Sequence, residues 1–323
     1  MCTSISFFTE NHYFGRTLDL EYSFDEKVVI TPREYPFQFR CRETNEKHFA
    51  IIGMATVVDG FPLYYEATNE AGLSMAGLNF PERTVYKEKD DEKSNICSFE
   101  LIPWILSTCE SVEDAKELLL TTNIIKEDFN EDYKATPLHW MISDKLASVT
   151  VECIDEGLKI YYNPIGMLTN NPEFPLQVFN LNNYMSLSPE EPETRFADCF
   201  DFNKYSRGMG ALGLPGDNSS MSRFVRTAFT KLNSVCGKSE NESISQFFNI
   251  LGTVSQVRGT VKIDDKFVKT VYTSCCNTDK GVYYYKTYNN SQITAVNMHG
   301  ETLDRSGLII YNLINEQQIN FVN

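Results

Sequence analysis

The order of apolar patterns along the chain predicts an α+β domain built from layered antiparallel sheets, because it reads strands, helices, strands, helices, strands. Two further observations support that class. Strand and helix patterns do not alternate one for one, as a parallel βαβ fold requires. The 323 residues are 42% apolar and 23% charged, enough to bury a large core and unlike a disordered or membrane chain.

Residues 3–9 and 12–20 flank Glu10-Asn11 and predict an N-terminal hairpin. Residues 27–31, 48–58, 61–68 and 73–80 follow as strands rich in β-branched and aromatic side chains. Asp59-Gly60 and residues 69–72 supply the turn chemistry between them. Residues 81–95, with the charges of 87–93, read as a solvated loop. Residues 98–108 carry helical apolar spacing, and 111–120 open with Ser111 and Asp114 at capping-box spacing. Strands return at 138–143, 147–153 and 158–162, the last two joined by Asp155-Glu156-Gly157. Helices are expected at 176–184, 220–232 and 243–251, and strands at 267–274, 282–288, 292–297 and 308–311. No internal repeat, low-complexity tract or linker interrupts the pattern, so residues 1–323 are expected to form a single domain.

Charge and cysteine usage narrow the function. Lys and Arg number 29 against 44 Asp and Glu, a net charge of −15, which repels phosphate backbones and excludes nucleic acid as an expected partner. No apolar run approaches the 18 or so residues of a membrane span, so no membrane partner is expected. The N-terminus lacks a basic region and is interrupted by Glu10, unlike a signal peptide, and a cytoplasmic location is expected. Cys2, Cys41, Cys97, Cys109, Cys153, Cys199, Cys236, Cys275 and Cys276 are odd in number and irregularly spaced, which argues against a disulfide framework. No C-x-x-C occurs, and His12, His48, His139 and His299 lie far apart, so no metal site is expected. Gly208, Gly210 and Gly213 spell G-x-G-x-x-G, but Pro215 and Gly216 follow and no strand precedes, so no dinucleotide or other cofactor is expected. The glycosylation patterns at Asn218, Asn241 and Asn289 carry no weight without a secretory signal. His139 sits in a strand pattern and reads as a satisfied structural histidine.

Cys2 stands apart by position. Its small side chain permits removal of Met1, which leaves a thiol of pKa about 8.5 and an α-amine of about 7.7–8.0 on one residue. An N-terminal nucleophile activated by its own amine, through a bridging water, is an established form of catalysis. On position alone, a residue that merely begins a strand is the preferred reading.

The wider pattern resolves that choice. Met1-Cys2-Thr3, Tyr13-Phe14-Gly15-Arg16 with Asp19, Asn69-Glu70-Ala71-Gly72-Leu73, Ala76-Gly77-Leu78-Asn79-Phe80 and Leu138-His139-Trp140 lie in the first half. Leu168-Thr169-Asn170-Asn171-Pro172, Gly213-Leu214-Pro215-Gly216-Asp217 leading to Ser222-Arg223-Phe224, and Gly281-Val282-Tyr283-Tyr284-Tyr285 lie in the second. In this order the chain resembles the choloylglycine hydrolase family of N-terminal-nucleophile hydrolases, which contains bile salt hydrolases and penicillin V acylases. The resemblance implies a four-layer αββα sandwich and hydrolysis of the amide of glycine- or taurine-conjugated bile salts. Penicillin V or another N-acyl amide is the alternative substrate, and a non-catalytic bile-salt-binding relative the remote alternative. It further implies Cys2 as nucleophile, Arg16 and Arg223 as charges around the thiolate, Asp19 as anchor of the amine, and Asn79 and Asn170 as oxyanion donors. Leu18, Val58, Phe129 and Tyr133 are implied to line the acyl pocket. Similar penicillin V acylases tend to carry tyrosine where this chain has Asn79, which favours bile salts. A homotetramer is implied as in similar enzymes.

Overall fold

The first two strands, β1 (Cys2–Phe8) and β2 (His12–Leu20), pair antiparallel about the expected N-terminal turn. In this computed structural model, which describes residues 1–44 and 46–323, a meander follows: β3 (Lys27–Thr31), β4 (Ile51–Val58), β5 (Phe61–Asn69) and β6 (Ser74–Asn79). Asp59 and Gly60 link β4 to β5 with φ of 51° and 81°, the left-handed pair that a tight hairpin needs and that Asp-Gly tolerates.

Residues 94 and 95, expected to end a loop, instead open β7 (Ser94–Cys97), which pairs in parallel with β8 (Thr122–Ile125). The parallel pairing is reached through a helical crossover of α1 (Leu101–Thr108) and α2 (Val112–Leu120), a tertiary arrangement with no local signature. The capping box of Ser111 and Asp114 forms as the spacing requires. Next come β9 (Leu138–Ser143), β10 (Ser148–Ile154), β11 (Gly157–Tyr162) and the short β12 (Met167–Leu168). The helix α3 (Phe174–Asn180) starts earlier than the apolar spacing suggested, with Pro175 suited to a first turn, and gives way to a 3-10 turn at Leu181–Tyr184. Then follow α4 (Ser220–Asn233), α5 (Glu240–Gly252), an exposed ribbon of β13 (Lys262–Ile263) and β14 (Lys266–Phe267), and β15 (Lys269–Asn277), β16 (Val282–Thr287), β17 (Thr294–Asn297) and β18 (Ile309–Asn312).

Among the described residues the long strands assemble into a six-stranded sheet, β12-β1-β2-β15-β16-β17, and an eight-stranded sheet, β11-β10-β9-β6-β5-β4-β3-β18. Helices α1 and α2 cover the outer face of the larger sheet, where Leu101, Ile105 and Ala115 pack on Ile51, Met75 and Ile142. On the smaller sheet, α4 and α5 bring Phe224, Ala228, Phe247 and Leu251 into the other core. The two sheets face each other between these helical layers, so the expected four-layer αββα sandwich is the observed one.

Two bulges shape the sheet interior. Met54 pairs with Glu66 but Ala55 with Tyr64, so Tyr65 is an extra residue in β5. Asp19 pairs with Thr270 and Leu18 with Tyr272, so Val271 is extra in β15. Each bulge re-aims side chains that matter below.

The centre of the smaller sheet tolerates no added volume at Gly15. A Cβ there would stand 2.2 Å from the Ser274 carbonyl oxygen, between β2 and β15. Gly15→Ala is expected to cost about 3 kcal/mol or more, read as a lower urea midpoint at unchanged slope. Gly216→Ala, whose Cβ would meet nothing within 4 Å, is expected to stay within about 0.5 kcal/mol of the parent. Equal midpoints for the two variants would refute the strand contact.

Candidate active site

The hairpin register distributes the predicted residues over its two faces. Cys2 lies opposite Leu18, Thr3 opposite Thr17, and Ser4 opposite Arg16. By the two-residue period, Cys2, Arg16 and Leu18 share the face toward the larger sheet, while Thr3, Thr17 and Asp19 share the face toward α4.

Arg16 is 1% exposed and spends its guanidinium on backbone carbonyls. Nη1 donates to Gly77 O at 2.5 Å and to Tyr65 O at 3.0 Å, and Nε donates to Thr17 O at 3.2 Å. The Tyr65 carbonyl belongs to the bulge residue of β5. The next residue, Glu66, stands 3.8 Å from Arg16 Nε and is itself buried. Its carboxylate accepts from Tyr272 Oη at 2.6 Å, Ser274 Oγ at 2.8 Å and Tyr283 Oη, all on the opposite sheet. Burial presses the Arg16 guanidinium down, but the Cys2 thiol, Tyr272, Glu66 and Asp19 outweigh it and hold it above its ordinary value. Burial raises the Glu66 carboxyl, with Arg16 pulling it back.

On the other face, Asp19 accepts from Thr270 Oγ1 at 2.6 Å and Thr17 Oγ1 at 3.0 Å. The β15 bulge, which places Thr270 opposite Asp19, makes the shorter of these bonds. Burial raises the Asp19 carboxyl above its ordinary value, and Arg223 and the chain's amine oppose that rise. Arg223 enters from the first turn of α4, which Ser219 caps and Asp217 braces through Ser219 N and Ser222 Oγ. Its Nη1 donates to Cys2 O at 2.5 Å and Thr3 Oγ1 at 2.8 Å, and its Nη2 to Asn170 Oδ1 at 2.7 Å. Burial lowers this guanidinium, against the pull of Asp19 and Cys2.

Asn170, just beyond β12, joins the two halves. Its Oδ1 accepts from the Cys2 N–H at 2.8 Å, and its Nδ2 donates to Asn79 O at 2.7 Å, at the end of β6. The amide nitrogen expected to face an oxyanion thus gives one of its two N–H groups to a backbone carbonyl and keeps the other, while the amide oxygen faces the Cys2 nitrogen. No hydrogen bond among the described residues uses the Asn79 side chain, which is half-buried. Ser220 Oγ accepts from Asn170 N at 2.8 Å, and Gln177 Nε2 donates to Asn170 O at 3.0 Å. Met1 continues the β1–β2 ladder: its amine donates to Asp19 O at 2.7 Å and its carbonyl accepts from Asp19 N at 2.9 Å.

Beside this cluster lies a cavity of about 310 Å³ with mostly apolar walls, among them Tyr22, Phe24, Tyr65, Phe99, Phe129 and Tyr133. Gly77 and Tyr65, the residues whose carbonyls Arg16 holds, form part of its wall. Phe129 and Tyr133 belong to one loop closed by Asn130 Oδ1, which accepts from the N–H groups of Asp132 and Tyr133. Leu18 and Val58 are not in the lining. Leu18 is buried in the core opposite Cys2 and Tyr272, and Val58 ends β4 opposite Phe61.

Among the described residues the cluster with metal-ligand spacing is Cys41, Cys97 and Glu127, whose ligand atoms lie within 4.8 Å of one another. Glu127 is paired with Arg40 at 3.0 Å, and burial pushes the Cys97 thiol up. The cluster lies on the helical side of the larger sheet, away from Cys2. Gly208 and Gly213 flank a 3-10 turn at Met209–Ala211 that contains Gly210, and among the described residues no strand leads directly into it. Sequence reasoning missed Glu66, Thr270, Ser220 and Gln177. A lone carboxylate inside the apolar run of β5 was the one local signal of the first; the others are ordinary polar residues until the fold places them.

The model of the linear amide C–N hydrolases of the choloylglycine hydrolase type matches residues 2–311. The chain is 52% identical to the bile salt hydrolase/transferase of Lactiplantibacillus plantarum, over all of both chains. It is similar, with a TM-score of 0.92, 38% identity and full coverage of both chains, to the crystal structure of a C2A mutant of the conjugated bile acid hydrolase from Clostridium perfringens. The penicillin V acylase of Agrobacterium tumefaciens shares the fold, with a TM-score of 0.75 at 20% identity over 96% of this chain and 91% of that one.

The buried charges predict a pH-dependent defect. Arg16→Leu leaves Glu66 without its cation, so its carboxyl, already raised by burial, rises further. A carboxyl raised in the folded state loses stability as pH climbs above the unfolded value of about 4.3. The unfolding free-energy deficit of R16L relative to the parent, read from urea titrations, is therefore expected to be small at pH 5 and to reach about 3–5 kcal/mol at pH 8. A deficit that is flat or shrinks with pH would show that Glu66 does not depend on Arg16.

Proposed function

We propose that this chain, which belongs to the choloylglycine hydrolase family of linear amide C–N hydrolases, cleaves the amide bond of glycine- or taurine-conjugated bile salts. The observation that carries this reading is the Cys2 nitrogen held by Asn170 Oδ1 at 2.8 Å beside a cavity with apolar walls. Removal of Met1 by an aminopeptidase would turn that peptide nitrogen into a free amine, with Asp19 released from its backbone pairing to Met1.

In the proposed reaction the Cys2 thiol proton passes to its own amine through water, and the thiolate attacks the substrate carbonyl. Arg16 and Arg223 stabilise the negative sulfur, Asp19 holds the amine, and the amides of Asn79 and Asn170 attend the oxyanion. The protonated amine returns its proton to the leaving nitrogen of glycine or taurine. Water then hydrolyses the thioester, releases the bile acid and restores the thiol, so protein groups and water balance the reaction. Phe129 and Tyr133 would receive the steroid. Leu18 supports the strand opposite Cys2, and Val58 the rim of the larger sheet.

Further proposals complete the reading. Residues 1–323 act as one domain, since both sheets draw strands from each half of the chain. The segment between α3 and α4 exposes Met185, Phe196, Phe200 and Leu212, a surface suited to burial in a homotetramer. No helix among the described residues is long and apolar enough to cross a membrane, and an acidic chain with nine free cysteines suits the cytoplasm.

Steady-state kinetics on glycocholate, taurocholate and penicillin V in one buffer test the substrate. Bile salts are expected to give the higher kcat/KM, because a steroid buries more apolar area at about 25 cal/mol per Å² than a phenoxyacetyl group. Better hydrolysis of penicillin V would overturn the bile-salt assignment and keep the thiol mechanism. Cys2→Ser, with Met1 removal verified by intact mass, is expected to lose turnover while keeping the parent's Tm, since a hydroxyl ionises far less than a thiol. Near-parent activity in that variant would rule out the thiolate, and a parent that binds but never cleaves would make the protein a binder.

A further inference from the structure

We propose that His139 is a positioning residue for Asn170, acting through the Thr169 carbonyl. This rests on the reading of Cys2 as the nucleophile and on the hold that Asn170 has on its nitrogen.

His139 is fully buried in β9, its ring stacked on Phe80 with centroids 4.2 Å apart and planes at 6°. Nε2 lies 2.8 Å from Thr169 O, and Nδ1 lies 3.1 Å from Glu152 Oε1 in β10. A carbonyl oxygen only accepts, so Nε2 must carry a proton. One further proton lies between Nδ1 and Glu152, and whichever atom holds it, Nε2–H still points at Thr169. The donor toward Thr169 is thus independent of how the pair is protonated.

Glu152 makes sense chiefly as the anchor of this ring. Its Oε1 also accepts from Phe174 N at 2.9 Å, at the start of α3, while its buried Oε2 has no hydrogen-bond partner among the described residues. A buried acid with one idle oxygen costs stability. What it secures is the Thr169–Asn170 segment, which α3 grips from the other side through Gln177, donating to Thr169 Oγ1 at 3.2 Å and to Asn170 O at 3.0 Å. The residue after that carbonyl is the one whose Oδ1 meets the Cys2 nitrogen at 2.8 Å and Arg223 at 2.7 Å. His139 and Glu152 belong to the larger sheet and Cys2 to the smaller one, so the ring carries the geometry of one sheet to the nucleophile of the other.

Two amide substitutions separate positioning from packing. His139→Gln puts an N–H near the place of Nε2 and keeps the donor to Thr169. His139→Asn puts one near Nδ1 and keeps only the bond to Glu152. H139N is expected to lose about 10²-fold in glycocholate kcat, the cost of misplacing a reacting group by roughly an ångström, with KM changed less than about threefold. H139Q is expected to stay within about tenfold of the parent. The rate of Cys2 alkylation by iodoacetamide, followed by peptide mass spectrometry, needs no substrate and is expected to fall in H139N and not in H139Q. Equal losses in both variants with matching falls in Tm would assign His139 to packing and overturn the proposal, as would an H139N enzyme as active as H139Q. If the parent does not hydrolyse glycocholate the substrate reading fails, and the alkylation contrast still decides the role of His139.

Discussion

Two guanidiniums, Arg16 and Arg223, are buried to 1% and 0% exposure, and most of the site follows from the need to satisfy them. A buried charge is tolerated only where donors find acceptors in every direction and an opposite charge lies near. Arg16 meets this with carbonyls of the larger sheet and with Glu66, which is itself held by hydroxyls of the smaller sheet. Arg223 meets it with Cys2 O, Asn170 Oδ1 and the charge of Asp19. The two sheets cannot slide or separate without stranding one of these charges. The thiol sits where both requirements intersect.

The bulges show how a regular sheet accommodates so irregular a demand. A strand of strict period would send Tyr64 and Glu66 to the same face, but Tyr64 packs under the helices while Glu66 reaches the opposite sheet. The inserted Tyr65 changes the facing and leaves its carbonyl aimed at Arg16. In β15 the inserted Val271 lets Thr270 meet Asp19. Bulges next to active sites serve this re-aiming in general. The same shells that restrain the arginines also fix the backbone of Cys2, through Asn170 on its nitrogen and Arg223 on its oxygen.

Much was legible from residues alone because it depends on local chemistry. The β4–β5 turn follows from Asp59-Gly60, the α2 start from Ser111 and Asp114, and the α+β layering from the order of the apolar periods. The motif series located Cys2, Arg16, Asp19, Asn170 and Arg223, and the fold brings all of them into contact or one shared hydrogen-bond network. The cavity residues were half legible. Phe129 and Tyr133 line it, whereas Leu18 is turned into the core by the pairing of Cys2 with it, and Val58 ends its strand outside the lining.

The sequence by itself determined the class of fold and, through a series of short motifs along the chain, which residues gather around Cys2. Tertiary structure decided the partners of those charges. Glu66, Thr270 and Ser220 lie 50, 251 and 50 positions from the residues they serve, respectively Arg16, Asp19 and Asn170. It also decided which way Asn170 faces, with its oxygen on Cys2 and its nitrogen on Asn79, because only the converging donors of Cys2 and Arg223 select between the two ends of an amide. Pairings of that range carry no periodicity, so they become visible only when two sheets are laid face to face.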